Sequence, residues 1–298
     1  MQETIIEFND LTFSYPTISN SEDENGNPIL PKNIYEHFTG GLSGGFVNLV
    51  GANGSGKSTL MLLASGRLPP TAGSVKLLGR DTKKFFIKQD FDTGKGLSVT
   101  LDIANPETEE EKNLLASFVY QNMEFETEEK VSSLLEMVFN NGGHNNGKIQ
   151  HKAKVPDSFF DDVLKTAKLD KVMNHKLSGI SKGETQRVLF AFSVLYGSRS
   201  IFMDEPFFAM ENKDTESCLE FIKHYSKKYS IPVYISMHDL DLTRKYAEKV
   251  LLFLPGSQME FGSPEEVLTN ESLEKAYGVP ASMLRDTESL TRKQISER

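Results

Sequence analysis

A chain of 298 residues is long enough to bury a sizeable core, as one large domain or as two subdomains. Its 38% hydrophobic and 25% charged content suits a globular chain, and a formal net charge of −9 argues against a general nucleic-acid binder, which carries a basic footprint. The single cysteine, Cys218, excludes an intrachain disulfide and fits a reducing compartment.

The N-terminal "MQETIIEFND" lacks the basic start and apolar run of a leader. The first 115 or so residues read as strands around one helix. Within them "ISNSEDENGNP", 18–28, is polar and turn-rich, which predicts a solvated insertion. Leu42-Ser43-Gly44-Gly45 reads as a chain reversal before a strand. That strand opens the strongest signal, "FVNLVGANGSGKSTLMLLASGRL", 46–68. Val47, Leu49 and Val50 form a buried strand, and Gly51 to Thr59 match G-x-x-x-x-G-K-[ST]; Leu60, Leu63 and Ala64 begin a helix.

Glycines let such a loop curl its N–H groups inward, and the helix adds its positive end, so the loop is built for a nucleoside triphosphate. Asn53, Gly54, Ser55, Gly56, Lys57, Ser58 and Thr59 are its binding residues, with Lys57 directed at the β- and γ-phosphates and Ser58 at Mg²⁺.

Residues 82–113 predict a β-hairpin and a helix, ending in the acidic run "ETEEEK". Gln121 follows an apolar strand and is a candidate for Mg²⁺ or the attacking water. "VSSLLEMVF" and "DSFFDDVLKTAKL" have helical apolar spacing, the second with Ser158 and Asp161 as a capping box. "NNGGHNNGK" between them predicts a flexible loop, and His144, His151 and His175 read as solvated side chains without metal-ligand spacing.

Two serines then compete for attention in "HKLSGISKGETQR", 175–187: Ser178 and Ser181. "RSIFMDEP", 199–206, is an apolar strand that delivers Asp204, for Mg²⁺, and Glu205, to polarise the attacking water. Cys218 keeps step with Ile222, Tyr225 and Tyr229, which predicts a packed helical face rather than a reactive thiol. A second strand, Val233 to Ser236, places His238 just beyond its end as a γ-phosphate contact. "VLLFLP", 250–255, falls far short of the ~20 apolar residues of a spanning helix, so any membrane role is peripheral.

Phosphate loop, strand-end Gln121, the Ser-x-Gly-Glu stretch, Asp204-Glu205 and His238 stand in an order that resembles the nucleotide-binding subunit of ATP-binding-cassette (ABC) transporters over nearly the whole chain. The resemblance implies an α/β fold, a P-loop NTPase cassette with a RecA-like core, an antiparallel β-subdomain and a helical signature subdomain. It implies one ATPase domain over 1–285 (1–120 β-subdomain and phosphate-loop core, 121–185 helical subdomain, 186–285 the rest of the core) and a charged tail, 286–298.

The family spacing from signature serine to acid pair selects Ser181, 23 residues before Asp204, over Ser178, 26 before it. Ser181, Lys182, Gly183 and Glu184 would then close over ATP held by a second copy, with Lys182 in place of the usual glycine. The resemblance also sets Tyr15 against adenine. It aligns "FAME", 208–211, with a family loop that carries a small polar residue where Phe208 stands.

Residues 237–279 look like importers of iron–siderophore, haem and cobalamin type, with Thr243 for the usual alanine and Glu248 for the usual aspartate; zinc and manganese importers share parts of this tail, so a metal substrate stays open too. The resemblance thus implies a homodimeric, ATP- and Mg²⁺-dependent ATPase. It would be peripheral on the cytoplasmic face of the inner membrane and docked on transmembrane permease subunits served by an extracytoplasmic binding protein. A soluble ABC ATPase of assembly or remodelling, as in iron–sulfur cluster biogenesis, and a nucleotide-gated binding module with little turnover stay open as alternatives.

Overall fold

A computed structural model describes residues 3–16, 33–92, 98–121, 123, 127–145 and 154–284. The polar insertion at 18–28, His151 and the tail 286–298 lie outside the described residues. In chain order the early elements are β1 (Thr4–Ser14), β2 (Asn33–Ser43), β3 (Phe46–Val50), α1 (Lys57–Ala64), β4 (Ala72–Leu77), β5 (Arg80–Asp81), β6 (Phe86–Asp92), β7 (Ser98–Ala104), α2 (Glu109–Leu115) and β8 (Ser117–Val119). They are followed by α3 (Val131–Asn141), α4 (Phe159–Thr166), α5 (Lys182–Leu195), β9 (Ile201–Asp204), α6 (Asn212–Tyr229), β10 (Val233–Ser236), α7 (Leu240–Tyr246), β11 (Lys249–Phe253), β12 (Met259–Gly262), α8 (Pro264–Val267) and α9 (Asn270–Tyr277). The chain packs as two compact units, residues 1–43 with 62–112, and residues 44–61 with 113–298.

The first unit holds an antiparallel sheet in the order β2-β1-β4-β5 and a separate hairpin, β6-β7. In β1 the buried series Ile6, Phe8 continues as Leu11, Phe13. The inward parity changes at Asn9–Asp10, where the register with β2 shifts and Asp10 turns left-handed at φ 51°. The hairpin and the following helix α2 are the structure expected for 82–113.

The second unit is built on a six-stranded sheet, β12-β11-β3-β10-β9-β8, parallel except for edge strand β12. "FVNLV", "IFMD" and "VYIS" are buried at every position. A strand with both faces covered has no polar side to alternate with, which is the signature of a parallel sheet. Ser236 lies level with Leu49 on one side and Asp204 on the other, and Met203 level with Val119. Strands β3, β8, β9 and β10 therefore finish together, and the residues just beyond them share one edge. Ligands of open α/β sheets bind at that edge.

Helix α5 carries eight buried residues, among them Val188 and Leu195, while Phe192 is half-buried against the core. The helix stops where Gly197 adopts φ 71°. Cys218, Ile222, Tyr225 and Tyr229 form the buried stripe of α6, and burial pushes the Cys218 thiol up to about 12, so it packs as an apolar group.

Three expectations need correction. Ser158 caps nothing with its side chain: its own backbone is helical (φ −75°, ψ −5°), and its hydroxyl donates to Asp162 rather than accepting a backbone N–H. His144 is half-buried, not solvated. Its ring meets Phe159 edge-on at 5.1 Å and its Nε2 donates to the Val194 carbonyl. The start of the expected flexible loop is likewise packed, since Gly143 N–H bonds the Tyr196 carbonyl and Gly142 lies where a Cβ would stand 2.2 Å from that oxygen.

A nucleotide cradle at the sheet edge

The phosphate loop leaves β3 at Gly51, where a side chain would run into Phe253 Cβ at 2.8 Å, so only glycine lets the loop pass strand β11. Gly56 takes φ 102°, another conformation closed to ordinary side chains, and its carbonyl receives the Leu60 N–H at 2.9 Å as α1 begins. Lys57 is buried, and its ammonium spans the loop, donating to the Gly51 carbonyl at 2.8 Å and the Ala52 carbonyl at 3.0 Å. Burial lowers its pKa, while Glu205 and Asp204 pull it back up. The Ser55 hydroxyl is buried within the loop and has no hydrogen-bond partner among the described residues, which leaves it available to an anion. Asn53, Gly54 and Ser58 are exposed; Thr59 is buried.

Across the edge, the structure gathers Gln121, Glu205 and His238 around one carboxylate. Gln121 Nε2 donates to Glu205 Oε2 at 2.9 Å, and His238 Nε2 lies 2.8 Å from Glu205 Oε1. Glu205 stands in the left-handed region at φ 47°, an arrangement that costs a non-glycine residue of order 1–3 kcal/mol and is kept where surroundings enforce it. The hydrogen bond to His238 holds its carboxyl below the usual range. Burial opposes this, and the charges of His238 and Lys57 and the amide of Gln121 add to it. Glu205 is therefore an ionised acceptor at neutral pH, and each carboxylate oxygen keeps a lone pair beyond the bonds it already accepts.

Asp204 is buried beside it, and its Oδ1 accepts the Ser236 hydroxyl at 2.5 Å. Asp204 Oδ2, the Gln121 amide oxygen and the Ser58 hydroxyl carry no hydrogen bond among the described residues. All are hard oxygen donors, the set that suits Mg²⁺.

Ser181 and Ser178 separate cleanly. Ser178 sits in a short 3-10 turn, Leu177–Gly179, whereas Ser181 is the N-cap of the 14-residue helix α5. Ser181 and Glu184 form a capping box: Glu184 N–H reaches Ser181 Oγ at 3.4 Å, and Glu184 Oε2 accepts the Ser181 N–H at 2.8 Å and its hydroxyl at 2.7 Å. Lys182 is exposed at the first helical position. Gly183 has room for no side chain, because a Cβ would meet the Ala209 carbonyl at 2.6 Å; Ala209 N–H in turn donates to Gln186 Oε1 at 2.7 Å. The 207–211 loop is thus fastened to the first turns of α5.

Tyr15, in the first unit, is 45% exposed, with its ring edge-on to Phe13 at 5.0 Å. Sequence reasoning passed over two buried polar residues at this edge, Asn48 and Ser236. Their signal was present: each is the lone uncharged polar residue in a strand otherwise buried and apolar.

The ABC transporter family profile matches residues 42–208, from the turn before β3 to Phe208. The chain is 24% identical over 260 residues to the petrobactin import ATP-binding protein FpuC of Bacillus anthracis, covering 86% of both chains. It is 24% identical over 263 residues to the hemin import ATP-binding protein HmuV of Escherichia coli O157:H7, covering 86% of this chain and 90% of that one. Among solved structures it resembles the dimeric bacterial ABC transporter cassette MJ0796, with a TM-score of 0.64 and 19% identity over 87% of this chain and 99% of the other. With over half the chain matched and the phosphate loop and acid pair inside that match, the chain belongs to the ABC transporter family as an ATP-binding, ATP-hydrolysing subunit.

Proposed function

We propose that this ATPase energises a membrane importer of an iron chelate or haem. It would act as a homodimer on the cytoplasmic face of the inner membrane, against transmembrane permease subunits fed by an extracytoplasmic binding protein. The import reading is supported by the similarity to FpuC and HmuV, petrobactin and hemin import ATP-binding proteins, and by the likeness of residues 237–279 to such importers. No helix among the described residues is long and apolar enough to cross a membrane. In this reading the permease docks on the surface that follows Gln121, around the helical region 121–185.

The observation that carries the catalytic reading is the Glu205 carboxylate held between His238 and Gln121. Asn53 to Thr59 bind the phosphates of ATP and Tyr15 stacks on adenine. Lys57 exchanges its two loop carbonyls for the β- and γ-phosphates, so its desolvated charge meets an anion instead of dipoles. Ser58, Gln121 and Asp204 hold Mg²⁺, which supplies charge neutralisation on the phosphate oxygens when bound. Glu205 accepts a hydrogen from the attacking water and aligns it with the γ-phosphorus; His238 fixes Glu205 and faces the γ-phosphate. Water adds to phosphorus as the β–γ bridging bond breaks, giving ADP and inorganic phosphate. Ser181, Lys182, Gly183 and Glu184 close over the nucleotide of the second copy, where the N-terminus of α5 presents N–H groups to the γ-phosphate.

Glu205→Gln keeps the shape but removes the charge and turns one of the two acceptor oxygens into an NH2 donor. It is expected to bind ATP as the parent does, to hydrolyse it at least ~100-fold more slowly, and to accumulate as an ATP-bound dimer in light scattering. Parent-like turnover would defeat the assignment.

A further inference from the structure

Asn48 and Thr243 are both fully buried. Asn48 projects from the middle of β3, paired with Ile235 on β10 and Val250 on β11. Its Oδ1 accepts the Met237 N–H at 3.1 Å, which settles the orientation of the amide. Its Nδ2 must then be the donor to Thr243 Oγ1, at 2.5 Å. The single proton of that hydroxyl goes to the Asp239 carbonyl at 2.6 Å. The bonds therefore run in one direction, Met237 N–H to Asn48, Asn48 to Thr243, Thr243 to the Asp239 carbonyl. His238 is the middle of the three residues between these backbone ends, and the Asp239 carbonyl also accepts the Thr243 backbone N–H at 3.0 Å.

His238 itself is exposed, so side-chain packing does not set its position. The backbone on either side must, and the Asn48–Thr243 pair is anchored on a central strand and a helix. Apolar residues at 48 and 243 would remove the side chains' own demand for partners but leave the buried Met237 N–H unpaired, whereas a buried hydrogen-bonded pair by itself adds little net stability. What the pair adds is geometry. We propose that Asn48 and Thr243 are positioning residues for ATP hydrolysis, clamping the chain on both sides of His238 and so holding its imidazole on Glu205. The inference rests on the reading that Glu205 aligns the attacking water.

The test compares Thr243→Val, which keeps the shape and removes the hydroxyl, with Thr243→Ser, which keeps the hydroxyl. Steady-state ATPase measurements on the full chain should show kcat falling about tenfold in Thr243→Val, the effect of ~1.4 kcal/mol on a barrier, with KM for ATP within about twofold. Thr243→Ser should recover the parent kcat to within about twofold. In a His238→Ala background Thr243→Val should add no further loss, because the group it positions is gone. If Thr243→Val does not fold, Thr243→Ala, which removes the hydroxyl and leaves the Asn48–Met237 bond in place, is read the same way.

A folded variant with parent kcat, a matched change in KM and kcat without rescue by serine, or a loss that multiplies with His238→Ala overturns the clamp. Glu205→Gln assayed in parallel separates the two readings. If it turns over like the parent, the site assignment falls; if it is inactive while Thr243→Val matches the parent, only the clamp falls.

Discussion

The Ser236 hydroxyl donates to Asp204 Oδ1 at 2.5 Å and accepts the Glu205 N–H at 3.0 Å, so one buried group ties both acids to strand β10. In Ser236→Ala the Asp204 carboxylate loses its donor and the Glu205 N–H keeps only the longer bond to the Ser236 carbonyl, at 3.2 Å. Losing a buried hydrogen bond to a charged group costs about 1–3 kcal/mol, which urea unfolding of parent and variant would measure, and kcat should fall with it. An unchanged midpoint and rate would show that the strand holds the acids without the hydroxyl. The chemistry-bearing residues were legible in sequence because each is delivered by an apolar strand: Lys57 through the glycine-rich loop that leaves β3, Asp204 and Glu205 at the end of β9, His238 just after β10. Their supports were not. Asn48 and Ser236 matter only because neighbouring parallel strands bring Met237 and Asp204 beside them, and pairing between strands far apart in sequence has no local signal.

Helix α5 shows what a single element adds. Two hydrogen bonds from Ser181 hold the Glu184 carboxyl below its ordinary value near 4.5, with a smaller contribution from the charge of Arg187. A carboxylate whose pKa is lowered by folding stabilises in full above the ordinary value, and the gain disappears as pH falls through the lowered one. Glu184→Ala should therefore cost stability at pH 7 in denaturant unfolding, and the cost should shrink as pH falls through the lowered value and the parent carboxylate becomes protonated. A difference that does not shrink on acidification would mean that the side chain stabilises by packing. The capping signature was readable here and misread at α4, although both begin with a serine three residues before an acid. Ser181 has the extended backbone of an N-cap (φ −69°, ψ 160°), whereas Ser158 is already helical, and a sequence pattern does not carry that distinction. The hairpin β6-β7 was readable as an element, though its outward Ile87, Phe91 and Leu101 break the rule that apolar side chains face a core.

At the scale of the whole molecule, the proposed ATP sandwich pairs two identical surfaces, so each contact occurs twice. Phe208 is 68% exposed, an aromatic ring held in water on the loop fastened to the first turns of α5 through Ala209 and Gln186. It stands where the family resemblance expects a small polar residue. Ser181 and Phe208 thus belong to one rigid corner, and a second copy that covers Ser181 would cover the ring as well. Burying a phenylalanine side chain is worth about 1.5–3 kcal/mol, and two copies double it. Phe208→Asp forfeits that gain and places a carboxylate at the seam. In the slow-hydrolysing Glu205→Gln background with ATP, the substitution should raise the dimer dissociation constant at least about a hundredfold, read by sedimentation velocity. The monomer should lose no more than about 0.5 kcal/mol of stability, because the side chain it replaces is solvated in the free chain. Dimerisation at the parent's concentration would place Phe208 outside the interface and with it the corner that carries Ser181.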